Sequence, residues 1–170
     1  MCLNKICIIG LGYIGLPTAA LLADRKEKVI GVDVNQTVVD TINAGDIHIV
    51  ESGLEDIVRR VVDDGYLRAV ASPEPADVFV IAVPTPFSRH EGKNKIPRPD
   101  LQYVESAAHA ISKVLKKGDL VILESTSPVG TTEKLACWLS GNRSDLTFPQ
   151  THGDVADIKV AYCPERVLPG

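Results

Sequence analysis

Apolar residues along this chain fall into two alternating patterns, short continuous runs and longer stretches with helical spacing. Continuous runs rich in Val and Ile are typical of strands that are buried on both faces of a parallel sheet. Stretches whose apolar residues recur every three or four positions predict amphipathic helices. These patterns predict strands at residues 5–9, 28–33, 67–70, 77–83, 120–123 and 158–162, and helices at 16–23, 35–44, 54–64, 101–117 and 131–140.

This alternation of strand and helix predicts an α/β fold, a doubly wound parallel sheet of the Rossmann type. We expect about six strands with helices on both faces, and one extra helix between the second and third strands. A chain of 170 residues is long enough to bury the core of one ordinary domain. We therefore expect residues 1–170 to form a single domain, with a surface excursion at 88–99 and a loop at 142–157.

A glycine motif, G-x-G-x-x-G at residues 10–15, joins the first predicted strand to the first predicted helix. In that setting the motif is the fingerprint of dinucleotide binding. Gly10 is expected to make the tight turn, Gly12 to let the backbone approach a pyrophosphate, and Gly15 to let helix and strand pack closely. The unpaired N–H groups at the helix N-terminus would receive the phosphates.

An acidic residue, Asp33, ends the second predicted strand at the offset typical of a ribose-binding carboxylate. Such a carboxylate accepts hydrogen bonds from a ribose 2′-hydroxyl and repels a 2′-phosphate. Residues 34–36 include no Arg or Lys that would receive a 2′-phosphate, so the sequence favours NAD over NADP. The alternative is that Asp33 only caps the helix that follows it.

The charge and the cysteines exclude several classes of function. The net charge of −4 indicates neither a nucleic-acid surface nor a patch for anionic membranes. Residues 6–23 lack charge, but three glycines and Pro17 argue against a membrane span. The cysteines show no C-x-x-C spacing, so we expect neither a metal site nor a disulfide framework, and a reducing, cytoplasmic setting. They are Cys2, Cys7, Cys137 and Cys163.

Two loops are expected at the carboxyl edge of the sheet, where open α/β folds bind ligands. The fourth predicted strand runs through Val83 into a proline-rich turn that carries Thr85, and the fifth leads to Thr126. Each threonine has an alternative structural role, because Thr85 can satisfy backbone groups in its turn and Thr126 can cap the next helix.

Four motifs in order, at residues 10–17, 83–86, 124–130 and 163–170, resemble the N-terminal domain of the nucleotide-sugar 6-dehydrogenases, the UDP-glucose/GDP-mannose dehydrogenase family. Within that family, the sequence segments 47–51 and 162–170 are more similar to the branch that acts on UDP-N-acetyl-D-mannosamine than to the UDP-glucose branch. The resemblance implies an NAD-binding domain of an enzyme that uses two NAD to oxidise the C6 alcohol of a UDP-sugar to a carboxylate. It also implies a homodimer formed through regions that have no counterpart here.

The resemblance also implies roles for individual residues. Glu165 would activate or orient the catalytic water, with Thr126 nearby. Arg166 and Val167 would contact the nucleotide sugar. The residues expected to contact the cofactor are Gly10, Gly12, Tyr13, Ile14, Gly15, Asp33, Val83, Thr85 and Thr126.

This sequence departs from the family in one important respect, because the nucleophilic cysteine and its assisting lysine have no counterpart. Cys163 is expected to end a buried strand and not to replace that nucleophile. We therefore expect the chain to be inactive alone. The alternatives are another UDP-sugar 6-dehydrogenase, such as a UDP-glucose dehydrogenase, or a stand-alone nucleotide-binding module without catalysis. A complete small reductase is disfavoured because the chain has no evident Tyr-x-x-x-Lys pair.

Overall fold

A computed structural model describes residues 5–87 and 98–164 and confirms the predicted fold class. The six strands form one sheet in the order β3-β2-β1-β4-β5-β6, and every neighbouring pair is parallel. This is the strand order of a doubly wound dinucleotide-binding fold. The strands are β1 (Ile6–Ile9), β2 (Val29–Val32), β3 (Leu67–Val70), β4 (Val78–Ile81), β5 (Leu120–Ser125) and β6 (Lys159–Pro164).

Helices cover both faces of the sheet and bury an apolar core on each. They are α1 (Gly15–Asp24), α2 (Gln36–Asn43), α3 (Leu54–Asp63), α4 (Gln102–Ser112), α5 (Thr131–Asn142) and α6 (Pro149–His152), followed by a 3₁₀ turn at Gly153–Val155. On one face Leu16 and Val58 from α1 and α3 pack with Ile8 of β1. On the other face Ile111 and Leu139 from α4 and α5 pack with Phe79 of β4. Full burial of one such side chain contributes about 1.5–3 kcal/mol.

The two edges of the sheet differ in how they are covered. At the β3 edge, the side-chain amide of Asn43 donates to the Ala69 carbonyl (2.9 Å) and accepts from the Ala69 N–H (2.8 Å). At the opposite edge, most residues of β6 are exposed or half-buried, including Cys163. The expectation that Cys163 ends a buried strand is therefore wrong, because β6 is the last strand in the order and pairs with β5 on one side, with no other described strand beside it.

Two predicted helix ends are also wrong. Helix α4 ends at Ser112, because Arg143 donates to the carbonyls of Ser112 (3.0 Å) and Leu115 (2.5 Å) where the helix stops. Helix α5 continues through Gly141, which was predicted to stop it. Gly141 does not have a positive φ, so it fits the helix like any other residue.

The segment 142–157, predicted as a loop, contains α6 and the 3₁₀ turn. Most of the predicted excursion at 88–99 lies outside the described residues. Within the described ranges, no helix is long and apolar enough to span a membrane. Residues 6–23 instead divide into β1, the glycine loop and most of α1.

Candidate functional site

The glycine loop between β1 and α1 is shaped by close contacts at its first and last glycines. Gly10 has a φ of +93°, and a Cβ there would lie 2.9 Å from the carbonyl oxygen of Ala82. A Cβ on Gly15 would lie 1.8 Å from the carbonyl oxygen of Gly10. Because neither position has room for a side chain, both glycines are required by the protein's own packing.

Gly12 has no such requirement within the protein. Its φ is not in the left-handed region, and a Cβ there would meet no atom within 4 Å. Gly12 is exposed and lies on the wall of the cleft described below. The fold therefore supplies no reason for a glycine here, whereas a ligand that approaches the backbone would supply one.

The glycine loop is held to the end of β2 by three contacts. The Gly10 N–H donates to the Val32 carbonyl (2.8 Å), and the Leu11 N–H donates to Oδ2 of Asp33 (3.1 Å). The Leu11 side chain packs over Gly31, where a Cβ would lie 2.8 Å from Leu11 Cδ2. The loop and Asp33 therefore form one rigid unit at the carboxyl edge of the sheet.

Asp33 is half-buried on the wall of the same cleft. Its Oδ1 accepts a second backbone hydrogen bond, from the Asn35 N–H (2.9 Å). The side chain that caps α2 is that of Asn35, which accepts from the Thr37 N–H (3.0 Å). The alternative capping role is thus filled by Asn35, while Asp33 supports the turn that precedes the helix.

The loops after β4 and β5 meet through Thr85 and Thr126, as their shared edge predicts. Their hydroxyl oxygens lie 3.2 Å apart, and the Thr85 hydroxyl also donates to the Thr126 carbonyl (3.3 Å). The Tyr162 hydroxyl donates to the Ser125 carbonyl (3.0 Å), which joins β6 to the end of β5. Within β5, Glu124 Oε2 accepts from the Thr18 hydroxyl of α1 (3.4 Å).

These loops surround a cleft of about 720 Å³, within the size range of small-molecule and cofactor sites. Two acidic residues, Asp33 and Glu124, line the cleft, and no Lys or Arg is among the described residues that line it. Several lining residues that the sequence predictions missed come from the turn after β3 and from one face of α4. They are Ala71, Ser72, Pro73, Tyr103, Ser106, Ala107 and Ala110.

The predicted cofactor residues Gly10, Gly12, Tyr13, Ile14, Asp33, Val83, Thr85 and Thr126 all line this cleft. Gly15 lies behind it, buried against Gly10. Three further predicted site residues, Glu165, Arg166 and Val167, lie outside the described residues.

The described cysteines are free, and two of them, Cys137 and Cys163, are exposed. Burial raises the pKa of the Cys7 thiol to about 12, so this thiol is unreactive near neutral pH. Between residues 5 and 164, with 88–97 left aside, no three His, Cys, Asp or Glu side chains form a group that could hold a metal ion.

Residues 4–170 match the NAD binding domain of the UDP-glucose/GDP-mannose dehydrogenase family. The UDP-N-acetyl-D-mannosamine dehydrogenase of Campylobacter jejuni is 66% identical over 98% of this chain and 40% of that protein. The NDP-N-acetyl-D-galactosaminuronic acid dehydrogenase of Ralstonia nicotianae is 62% identical over 98% of this chain and 38% of that protein.

Among solved structures, the UDP-N-acetyl-mannosamine dehydrogenase of Staphylococcus aureus has a TM-score of 0.84 and is 38% identical. The match covers 98% of this chain and 38% of that chain. The chain therefore spans about 40% of the length of the curated relatives it matches.

Proposed function

Because the chain belongs to the UDP-glucose/GDP-mannose dehydrogenase family, as its NAD-binding domain, we propose that the cleft at the carboxyl edge of the sheet is the NAD site. The observation that carries this proposal is the empty space in front of Gly12. Gly12 has neither a positive φ nor a neighbour within 4 Å, and because it lies on the wall of the cleft, a ligand that approaches the backbone would explain the glycine.

In this proposal, the residues of the glycine loop bind the pyrophosphate. The loop opens α1, whose first backbone N–H groups and positive dipole end favour an anion. Gly12 leaves room for the phosphates, and Tyr13 and Ile14 lie over them. Gly10 and Gly15 act indirectly, by fixing the shape of the loop.

Asp33 binds the adenosine ribose, and its position beside the loop supports this role. Each carboxylate oxygen already accepts one backbone N–H and retains a lone pair for a ribose hydroxyl. A 2′-phosphate would meet this carboxylate and no Lys or Arg among the described lining residues, which favours NAD over NADP.

The other half of the cofactor lies against Val83, Thr85 and Thr126. NAD, when bound, supplies the hydride acceptor, and the protein binds and orients it. The contact between the two threonines joins the loops after β4 and β5 at this end of the cleft. Catalytic roles for Thr126 and Glu165, and sugar contacts from Arg166 and Val167, remain predictions from the family resemblance.

For the whole protein, we propose oxidation of the C6 alcohol of UDP-N-acetyl-D-mannosamine to a carboxylate. The support is the name shared by several relatives of high identity. The Ralstonia relatives favour a second candidate, a nucleotide-linked N-acetylgalactosamine derivative. Two alternatives rank lower: UDP-glucose as the substrate, and a nucleotide-binding module without catalysis.

We further propose a homodimer in the cytoplasm; the free thiols support a reducing compartment.

Calorimetry on the purified protein tests the cofactor proposal. We expect NAD to bind at least about tenfold more tightly than NADP, since only NADP carries the repelled phosphate. Tighter binding of NADP would contradict the role given to Asp33.

The substrate proposal is tested by reading the gene past Gly170 and assaying its full product for NADH formation. UDP-N-acetylmannosamine, UDP-N-acetylgalactosamine and UDP-glucose would be compared at equal concentration. The residue 1–170 chain serves as the control, and we expect it to be inactive. Sustained turnover by that chain would show that it needs no further nucleophile.

A further inference from the structure

We infer that Glu124 makes the cleft selective for the redox state of its nicotinamide cofactor, in favour of the oxidised form. This inference rests on the proposed NAD site, because it concerns the end of that site farthest from Asp33. Glu124 is half-buried near the end of β5 and lines the same cleft as the glycine loop.

The strand order gives the position of Glu124 along a bound dinucleotide. Asp33 follows β2, the glycine loop follows β1, and Glu124 belongs to β5, with β4 between β1 and β5. Neighbouring strands are about 4.8 Å apart, so β2 and β5, three strand spacings apart, are separated by about 14 Å. With adenosine at Asp33 and the pyrophosphate at the loop, the nicotinamide lies toward the ends of β4 and β5.

The direction of the Glu124 side chain is set by α1. Its Oε2 accepts from the hydroxyl of Thr18, a residue in the first turn of the helix that follows the glycine loop. The carboxylate is therefore held beside the first turn of α1, and Glu124 is one of the residues that line the cleft.

The charge of Glu124 distinguishes the two forms of the cofactor. The oxidised nicotinamide ring carries a positive charge and the reduced ring is neutral, while the rest of the molecule is the same in both. A fixed carboxylate at this end attracts the oxidised ring and has no comparable effect on the reduced ring. Asp33 and the glycine loop contact parts that do not change, so they contribute equally to both forms.

The test compares the dissociation constants of NAD⁺, by calorimetry, and NADH, by fluorescence, for wild type and Glu124→Gln. The glutamine keeps the size of the side chain and an oxygen that can accept from Thr18, and it removes the charge. We expect NAD⁺ binding to weaken roughly fivefold and NADH binding to change less than twofold.

Two further variants complete the design. Glu124→Asp keeps the charge and is expected to keep the preference for NAD⁺ over NADH. Loss of that preference in Glu124→Asp would overturn the role of charge. Asp63→Asn removes an exposed carboxylate at the end of α3, by the opposite edge of the sheet, and is expected to change neither constant.

Equal weakening of both forms in Glu124→Gln would overturn this inference and leave the NAD site intact. Failure of the wild type to bind either form would instead overturn the proposed function. Thermal unfolding of each variant identifies any change that comes from lost folding.

Discussion

The three glycines of the loop between β1 and α1 differ in what surrounds them. Gly10 and Gly15 lie against backbone atoms of the protein, and Gly12 faces open space. The fold therefore requires two of them, and the third is available to a ligand. This difference can be measured, because a change at Gly15 affects packing and hence stability, whereas a change at Gly12 affects the binding of a ligand.

We expect Gly15→Ala to destabilise the protein by about 1–3 kcal/mol or more, because its Cβ would overlap the Gly10 carbonyl. Gly12→Ala should change stability by no more than about 0.5 kcal/mol, since its Cβ has no neighbour. The same Gly12 variant should weaken NAD binding about tenfold or more. Urea unfolding and calorimetry measure the two quantities. Equal loss of stability in both variants would contradict this division.

Asp33→Asn tests the carboxylate at the end of β2. The amide keeps one accepting oxygen, so one of the N–H groups of Leu11 and Asn35 loses its acceptor and the other keeps only a neutral acceptor. We expect NAD affinity to fall about tenfold and the preference for NAD over NADP to narrow. Calorimetry with both cofactors measures this. Asp40→Asn, on the exposed face of α2, is the matched control. An unchanged cofactor preference in Asp33→Asn would remove Asp33 from the ribose site.

At the scale of elements, one side chain completes the edge of the sheet. The amide of Asn43, at the end of α2, makes the two hydrogen bonds to Ala69 that a neighbouring strand would make. Edge strands with unpaired backbone groups invite association with other chains. Asn43 therefore both joins α2 to β3 and occupies part of that edge.

We expect Asn43→Ala to destabilise the protein by about 1–3 kcal/mol, because the N–H and C=O groups of the buried Ala69 lose their partners. Urea unfolding measures the loss, and hydrogen exchange at the Ala69 amide should become faster. Gln36→Ala removes an exposed amide contact from the same helix and should change stability by less than about 0.5 kcal/mol. An effect of Asn43→Ala no larger than that of Gln36→Ala would show that water replaces the amide.

The types of the six strands and of α1 to α5 followed from the sequence because period and composition decide them, whereas element ends depended on distant partners. The end of α4 is set by Arg143, which follows α5 and donates to carbonyls near Ser112. Lys116, predicted as part of the helix end, instead bonds Asp77 (3.0 Å) and Asp119. A local sequence pattern does not indicate contacts with distant residues, so the predicted helix ended five residues too late.

At the scale of the whole molecule, the stability of the fold depends on pH through a carboxylate that lies just before β6. Lys117 and the hydroxyl and N–H of Thr147 donate to Asp157, and they lower its pKa from 3.8 to about 2. A lowered carboxyl pKa stabilises the folded state at pH values above the unfolded pKa. That stabilisation is lost as the pH falls from about 4 to about 2.

Asp157→Asn should therefore be less stable than wild type above pH 4, and the difference should shrink between pH 4 and pH 2. Urea unfolding at a series of pH values measures both curves. Asp154→Asn changes an exposed carboxylate close to Asp157 along the chain and should leave the shape of the curve unchanged. Parallel curves for wild type and Asp157→Asn would assign the acid sensitivity to other groups.

Outside the glycine motif, the residues that line the cleft could be predicted from the sequence only where they follow a strand. Asp33, Thr85 and Thr126 were found because the carboxyl ends of parallel strands share one edge. Tyr103 and Ser106 were missed, since the apolar pattern of α4 identifies only its core stripe and not the neighbouring face that lines the cleft. No residue pattern within α4 distinguishes a face toward a ligand from a face toward water.

The strand order has a further consequence for how the domain could be used. Within the described ranges, the chain crosses between the two halves of the sheet once, in residues 71–77. Asp33 and the glycine loop precede this crossover, and Thr85, Glu124 and Thr126 follow it. If the polypeptide were cut there, each piece would contain half of the cleft, and the pairing of β1 with β4 would join the two pieces. Reassembly of the pieces and dinucleotide binding would then be linked equilibria, so a split form of this domain would act as a sensor of dinucleotide concentration.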